Sequence, residues 1–595
     1  MSGIDSWPPA TNPVAGRASV ASPGVWVGAI CLLTFLAYAA TLRFQFVDDD
    51  RGQILSNPAA HSWRAVPGYF ASHVWAGIVP GVARNEYRPL FLLWLRCDDA
   101  IFGSHPTGWH LTTIIAHVLA TYGVCLLAHR VFREWPPALC SGLIFGLHPI
   151  HIEGVAWVSG VPEPLMAGLL ISSYLCWLRS REAGGRGRLW LGFSLGLYAE
   201  AMLVKEPAVV LPVILFVSEW LGLPPAEETR PGSWAQKTAQ ILKGLLPYAA
   251  LTAVYLTVRM LALKEIWHPD AQMSWRAMLR LWPAILFLYG KLLLWPVGTS
   301  PFYKFGYLVH PTLATSVELI LIVLTAALAL WIWASRSRTV ALAVTWLIIP
   351  LLPVLNLRAL GFGNLIHNRY LYLPSIGFAM LLVAALKAIK VGRPILGGIP
   401  SLQVWIALIL TLLMAFAIQV EDRCYANDAT FYDYACSHMG APDPLIRMDY
   451  ANALAERGDL PGAAAIYREL IQSYPDLWNA YFNLGYMLYT SGQLAPAVEI
   501  LSRDAAGDPG NAGAFFYLAL AQLKLRRLDE AEGNLRRAVA LAPMAPNYHF
   551  ALGVVLKLRG NGSEAKAAFA RELEINPENT DAARQAAEIQ GQRVK

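Results

Sequence analysis

Three adjacent aspartates, Asp48, Asp49 and Asp50, follow the first long apolar stretch of the chain, in the string FQFVDDDRGQILSNP over residues 44–58. Neighbouring carboxylates repel one another, so such a run needs a reason. Marking the point where a helix leaves a membrane for water is one; taking the proton from an attacking hydroxyl is another. If the group being transferred leaves a phosphate, cations must also meet the charge that grows on the departing oxygen. The chain offers them in Arg88 of EYRPLFLLWLR, Lys205 beside Glu206 in AMLVKEPAVV, and Arg369 beside Tyr370 in NRYLYLPSIGF. Charged side chains at the ends of apolar runs are costly at membrane depth and read as functional, with interfacial snorkelling as the structural alternative. His148, His151 and Glu153 form HPIHIE. Two histidines three apart share a helical face, but without a third clear ligand they read as substrate contacts or structure rather than a zinc site.

The elements that must position these residues are membrane helices. The 595 residues are 56% hydrophobic and 15% charged, a membrane-protein composition. The net charge of +6 does not indicate nucleic acid, because the Arg and Lys residues lie mainly in short loops between apolar stretches, where they set orientation. Stretches long enough to cross, at 1.5 Å per residue, fall near 24–42, 108–130, 136–154, 163–179, 189–204, 207–222, 245–263, 314–334, 339–357, 370–387 and 402–420. The first reads as an uncleaved helix behind a cytoplasmic tail, 1–23, because Arg17 is the only cation before it. Residues 276–297 are apolar but hold Arg276, Arg280, Pro283 and Lys291. Keeping the basic turns Arg336/Arg338 and Lys387/Lys390/Arg393 inside requires that this segment not cross, so it is expected along the interface or as a re-entrant piece. Eleven crossings then place loops 43–107, 148–162, 264–313 and 358–369, and everything after 421, outside the cytoplasm. Cys424 and Cys436 would be free to pair there in an oxidising compartment.

After a linker at 422–443 the sequence repeats every 34 residues. Ala463, Ala497, Ala531 and Ala565 keep that spacing, as do Pro475, Pro509, Pro543 and Pro577. Small residues Ala451, Gly485, Ala519 and Gly553 recur in the same register and let paired helices approach. The pattern predicts four tetratricopeptide repeats, 444–477, 478–511, 512–545 and 546–579, with 580–595 as a capping helix. Such a solenoid presents a concave groove suited to an extended peptide or a protein partner. A spacer without a ligand is the alternative.

Spans, loop strings and repeats together resemble the transmembrane and tetratricopeptide repeat-containing O-mannosyltransferases of the C-type glycosyltransferase superfamily. The strings are Asp49, Asp50, Ile54 and Asn57 in the first outer loop, YRP at 87–89, GLHPIHIEGVAWVSGVPE at 146–163, KEP at 205–207 and RYLYLPSIGF at 369–378, in that order. The resemblance implies an all-α chain, with a glycosyltransferase membrane domain over 24–421 ahead of the repeats. It implies transfer of mannose from a dolichyl- or polyprenyl-phosphate donor to a protein hydroxyl, with Asp49 and Asp50 catalytic. The expected substrate contacts are Asp48, Arg88, His148, His151, Glu153, Lys205, Glu206, Arg369 and Tyr370, and neither a cofactor nor a metal is required. The compact loops suggest a bacterial inner membrane with the repeats in the periplasm; a eukaryotic relative would face the lumen of the endoplasmic reticulum. The rival reading is a catalytically silent membrane scaffold that presents the repeats for envelope assembly.

Overall fold

The computed structural model describes residues 22–78, 86–223, 233–263, 273–303, 313–359, 365–392, 394–395, 399–438 and 443–589. The tail before Ser22 and residues 264–272 and 304–312 of the expected loop 264–313 lie outside the described residues. The chain divides into two compact units, Met1–Gly440 and Ala441–Lys595. Both are helical; among the described residues the exception is a hairpin of Pro394–Ile395 against Ile399–Pro400.

Among the described residues of the first unit, seven helices are long and apolar enough to cross a membrane: Pro23–Arg43, Pro106–Phe132, Val158–Glu182, Trp234–Leu263, Trp275–Leu294, Val317–Arg336 and Leu402–Tyr425. The bent pair Trp135–Gly146 and Pro149–Ala156 makes an eighth if it is one span. None of Val317–Arg336 is buried and only 11% of the apolar window in Leu402–Tyr425 is, so Leu321, Leu324, Trp331, Leu413 and Phe416 project from the fold. Apolar faces of that extent suit lipid and not water. Trp275–Leu294, expected along the interface or as a re-entrant piece, is a continuous 20-residue helix with the length and apolarity of a candidate span, and Pro283 sits inside it without ending it. The stretch expected at 189–204 is one continuous helix, Gly187–Val204, whereas those at 207–222, 339–357 and 370–387 are interrupted, as at the 3₁₀ turn Glu206–Val210.

The segment expected as a linker is also structured. Asp422–Tyr425 and Asp428–His438 are helical, and Ala429, Phe431, Tyr432 and Ala435 are buried. Aromatic and small residues on one face give this stretch a packing surface that its position between domains did not suggest. No disulfide joins Cys424 to Cys436, the pairing the sequence left open.

The second unit pairs Pro444–Glu456 with Leu460–Ser473, Trp478–Thr490 with Leu494–Gly507, Ala512–Lys524 with Leu528–Leu541, and Tyr548–Leu558 with Gly562–Ile575. Thr580–Ile589 covers the end, burying Ala582. Ala463, Ala497, Ala531 and Ala565 are all fully buried, as the 34-residue spacing requires. A Cβ on Gly485 would come 2.5 Å from Leu501, and one on Gly553 would come 2.6 Å from Phe569, so glycine there sets the helix separation. The turn inside each pair carries a second 34-residue signature. Gly458, Gly492, Arg526 and Gly560 all have φ between 63° and 86°, the left-handed residue that ends a helix. Arg526 is the one position of the four without glycine.

Candidate functional site

The aspartate run sits in the loop that leaves the first apolar helix, and its three carboxylates face three different surroundings. Asp50 is fully buried in the protein wall. One of its oxygens accepts from the backbone N–H of Val47 at 3.1 Å, and the other from the N–H and hydroxyl of Ser159 at 2.7 and 2.5 Å. Burial pushes its carboxyl up to about 7, against those hydrogen bonds, which lower it. Asp48 adopts φ 51°, accepts the Tyr432 hydroxyl at 2.7 Å, and does not line the cavity described below. Asp49 does line it, and among the described residues its carboxylate has no hydrogen-bond partner. Burial lifts the Asp49 carboxyl well above the usual carboxylate range, the adjacent Asp48 adds to the shift, and Arg369 opposes it.

That cavity, about 310 Å³, is where the distant strings of the sequence meet. Asp49 enters from the first loop and Arg88 from just ahead of helix Pro89–Phe102. Lys205 and Glu206 lie at the break after helix Gly187–Val204, and Arg369 and Tyr370 on the 3₁₀ turn Asn368–Leu371. Six of the eleven expected site residues therefore share one wall.

Each expected cation is held by a carboxylate. Arg88 Nε donates to Glu206 at 3.1 Å, and Glu206 also accepts the Tyr87 N–H at 3.0 Å. Arg369 donates Nη1 to Glu153 at 2.7 Å and its backbone N–H to the other Glu153 oxygen at 3.0 Å, while its guanidinium lies 5.0 Å over the Trp157 ring. Lys205 pairs with Glu163, both buried. A guanidinium has five N–H donors, so one carboxylate fixes its direction and leaves donors for a bound anion.

The remaining expected contacts fall elsewhere. Glu153 is 1% exposed and reaches the cavity only through Arg369, which it orients. His148 donates Nε2–H to the Leu293 carbonyl at 3.0 Å and accepts the Ile150 N–H at its other nitrogen. His151 bonds Ser375 at 2.8 Å and packs against His117, Phe145 and Tyr372. Both rings are buried between helices, not at the cavity wall, because HPIHIE occupies a bend whose backbone and ring nitrogens need partners. Among the described residues no group of three His, Cys, Asp or Glu could hold a metal ion.

Sequence reasoning missed Trp75, Glu86, Trp157, Ser159 and Arg259 on the cavity wall, and Glu163 behind it. Glu163 had a signal: a lysine at membrane depth requires a buried acid, and Glu163 closes the string that carries Glu153. Trp75 gives its indole N–H to Glu86 at 2.8 Å, a pairing eleven residues apart with no periodicity to reveal it.

Apolar spans around an internal charged cavity, followed by a helical repeat array, define a membrane protein with an enclosed polar site and a tetratricopeptide unit. Residues 456–538 match the family described as anaphase-promoting complex, cyclosome, subunit 3, and residues 516–580 match tetratricopeptide repeat. The chain is 22% identical over 592 residues to "Protein O-mannosyl-transferase TMTC3" of Mus musculus, covering 91% of this chain and 63% of that one. It is 23% identical over 510 residues to "Protein O-mannosyl-transferase TMTC1" of Homo sapiens, covering 79% of this chain and 57% of that one. A crystal structure of MamA protein aligns at 25% identity and a TM-score of 0.24, over 25% of this chain and 82% of its own. The chain is thus similar over most of its own length to TMTC protein O-mannosyl-transferases, as its strings implied, and spans 63% or less of the length of these two relatives.

Proposed function

We propose that the chain is a membrane glycosyltransferase that moves a sugar, in the first instance mannose, from a polyprenyl-phosphate donor to a hydroxyl on a protein, on the non-cytoplasmic face. The observation that supports this most is the meeting of Asp49 with Arg88, Lys205 and Arg369 in one cavity. The acceptor oxygen attacks the anomeric carbon while Asp49 takes its proton. The bond from that carbon to the phosphate oxygen breaks, and the phosphate leaves with the electron pair, its charge met by the cations. Attack from the side opposite the phosphate inverts the anomeric centre. The cation wall supplies the stabilisation that a metal gives elsewhere, so the scheme requires none. An acid with a raised pKa is well matched to take a hydroxyl proton near neutrality. On this reading Asp50 braces the loop, and the base role falls to Asp49. The repeat groove holds an extended part of the protein acceptor, raising its concentration near the site.

The test is transfer of labelled mannose from a short-chain polyprenyl-phosphate mannose to a pool of Ser/Thr peptides by the purified protein. The expected result is label on peptide with the donor, and none with a nucleotide-linked mannose. No transfer from the lipid donor to peptides or to membrane-fraction proteins favours the scaffold reading instead.

A further inference from the structure

The carboxylate of Asp49 accepts no hydrogen bond among the described residues, so something else must fix where Asp49 points. Its backbone neighbours are held from a place far away in sequence. Asp428, at the start of helix Asp428–His438, accepts the Asp48 backbone N–H on Oδ1 at 2.8 Å and Arg51 Nη1 on Oδ2 at 2.9 Å. Four residues later Tyr432 gives its hydroxyl to the Asp48 carboxylate at 2.7 Å. Two residues before Asp428, the Ala426 carbonyl accepts the Gln45 N–H at 3.0 Å. The helix is itself fixed at its first turn, where Asn427 Oδ1 accepts the Thr430 N–H at 3.1 Å. One short segment therefore touches the aspartate loop at Gln45, Asp48 and Arg51, on both sides of Asp49.

The backbone at the centre of this grip is strained. Asp48 sits at φ 51°, in the left-handed region that non-glycine residues occupy only at a cost. Such a conformation persists only when its surroundings over-determine it, and Asp428 satisfies the N–H of that very residue. Releasing the N–H would let Asp48 return to an ordinary backbone angle and swing Asp49, the next residue, away from the cavity.

We infer that Asp428, assisted by Tyr432, is a positioning residue for the reaction, holding the strained Asp48 so that the Asp49 carboxylate faces the cation wall. This rests on the reading of Asp49 as the base. The cations are anchored by Glu153, Glu163 and Glu206, and not by this segment. Losing the grip should thus slow the chemical step while leaving donor binding in place.

The experiment measures kcat and donor KM for Asp428→Ala, Asp428→Asn, Tyr432→Phe and Asp49→Asn in the short-chain polyprenyl-phosphate mannose and Ser/Thr peptide assay. Amide hydrogen exchange over residues 45–51 is read on the same samples. Asp428→Ala should lower kcat about tenfold or more per folded molecule, the scale of a lost charge-assisted hydrogen bond, with donor KM within about threefold of wild type. Asp428→Asn, which keeps an oxygen for the Asp48 N–H, should fall between Ala and wild type, and exchange over 45–51 should quicken in the same order. Wild-type kcat in Asp428→Ala beside an inactive Asp49→Asn overturns the positioning role and leaves the base role standing. Wild-type kcat in Asp49→Asn overturns both. If Asp428→Ala does not fold, Tyr432→Phe decides, since it removes a single hydroxyl: a kcat lowered about threefold at unchanged KM supports the role, and unchanged kcat and exchange reject it.

Discussion

The two units of this chain solve the problem of fixing a side chain in opposite ways. In the repeats, what matters at one position recurs 34 residues on: buried alanines at 463, 497, 531 and 565, and left-handed helix ends at 458, 492, 526 and 560. In the membrane unit nothing recurs. Arg369 is aimed by Glu153, Lys205 by Glu163 and Asp48 by Asp428, pairs separated by 216, 42 and 380 residues. A solenoid can tolerate local variation because each repeat contacts only its neighbours. An enclosed polar site cannot, because every buried charge needs its own partner.

That contrast predicts unequal consequences for similar changes. Arg369→Glu would set a third carboxylate beside Glu153 and Asp49, and it should reduce transfer by about 10²-fold or more, the scale of breaking a buried ion pair. The same reversal at Arg527, a half-exposed residue of the repeats, should leave peptide transfer unchanged. Matched rates and unfolding temperatures for the two variants, in detergent, check both outcomes; equal losses would abolish the distinction.

A subtler change concerns the neighbour of the base. Asp49 must be ionised to accept a proton, and burial and Asp48 both hold its pKa above the ordinary carboxylate value. Transfer should therefore fall as pH drops through a point above that ordinary range. Asp48→Asn removes a like charge and should move this acid limb to lower pH, so the variant outperforms wild type in relative rate on the acid side. A limb that stays put or moves upward in the pH profile of kcat would show that Asp48 does not act on Asp49 in this way.

The smallest expected effect lies in the repeats. Arg526 carries φ 63° where the three equivalent residues are glycine. Arg526→Gly should raise the stability of the repeat unit by about 1 kcal/mol, because glycine adopts that angle without a Cβ clash. Denaturant unfolding followed in that unit measures it, and a loss of stability would mean that the arginine side chain contributes more than its backbone costs.

Legibility in the sequence followed the same division. The repeat boundaries and the packing of Ala463 or Gly485 could be read because local spacing dictates them. In the membrane unit, the residues worth singling out were visible as charges beside apolar runs, and Asp49, Arg88, Lys205, Glu206, Arg369 and Tyr370 do meet. What spacing could not show was the difference between neighbours. Asp49 and Asp50 are adjacent, yet one faces the cavity and the other is tied to Ser159 in the wall. His148 and His151 had the residue type of a site but belong to helix packing. The segment 422–438 carries no motif, and its grip on the first loop depends wholly on tertiary structure.

The central claim is that Asp49 performs chemistry while the cations bind donor, and one variant separates the two. Donor affinity and single-turnover transfer should be measured on Asp49→Asn, with short-chain polyprenyl-phosphate mannose and Ser/Thr peptide. The account predicts donor affinity within about threefold of wild type and transfer slowed by about 10²- to 10⁴-fold, the span of a lost general base. Transfer at the wild-type rate, or donor binding lost in step with transfer, would contradict it.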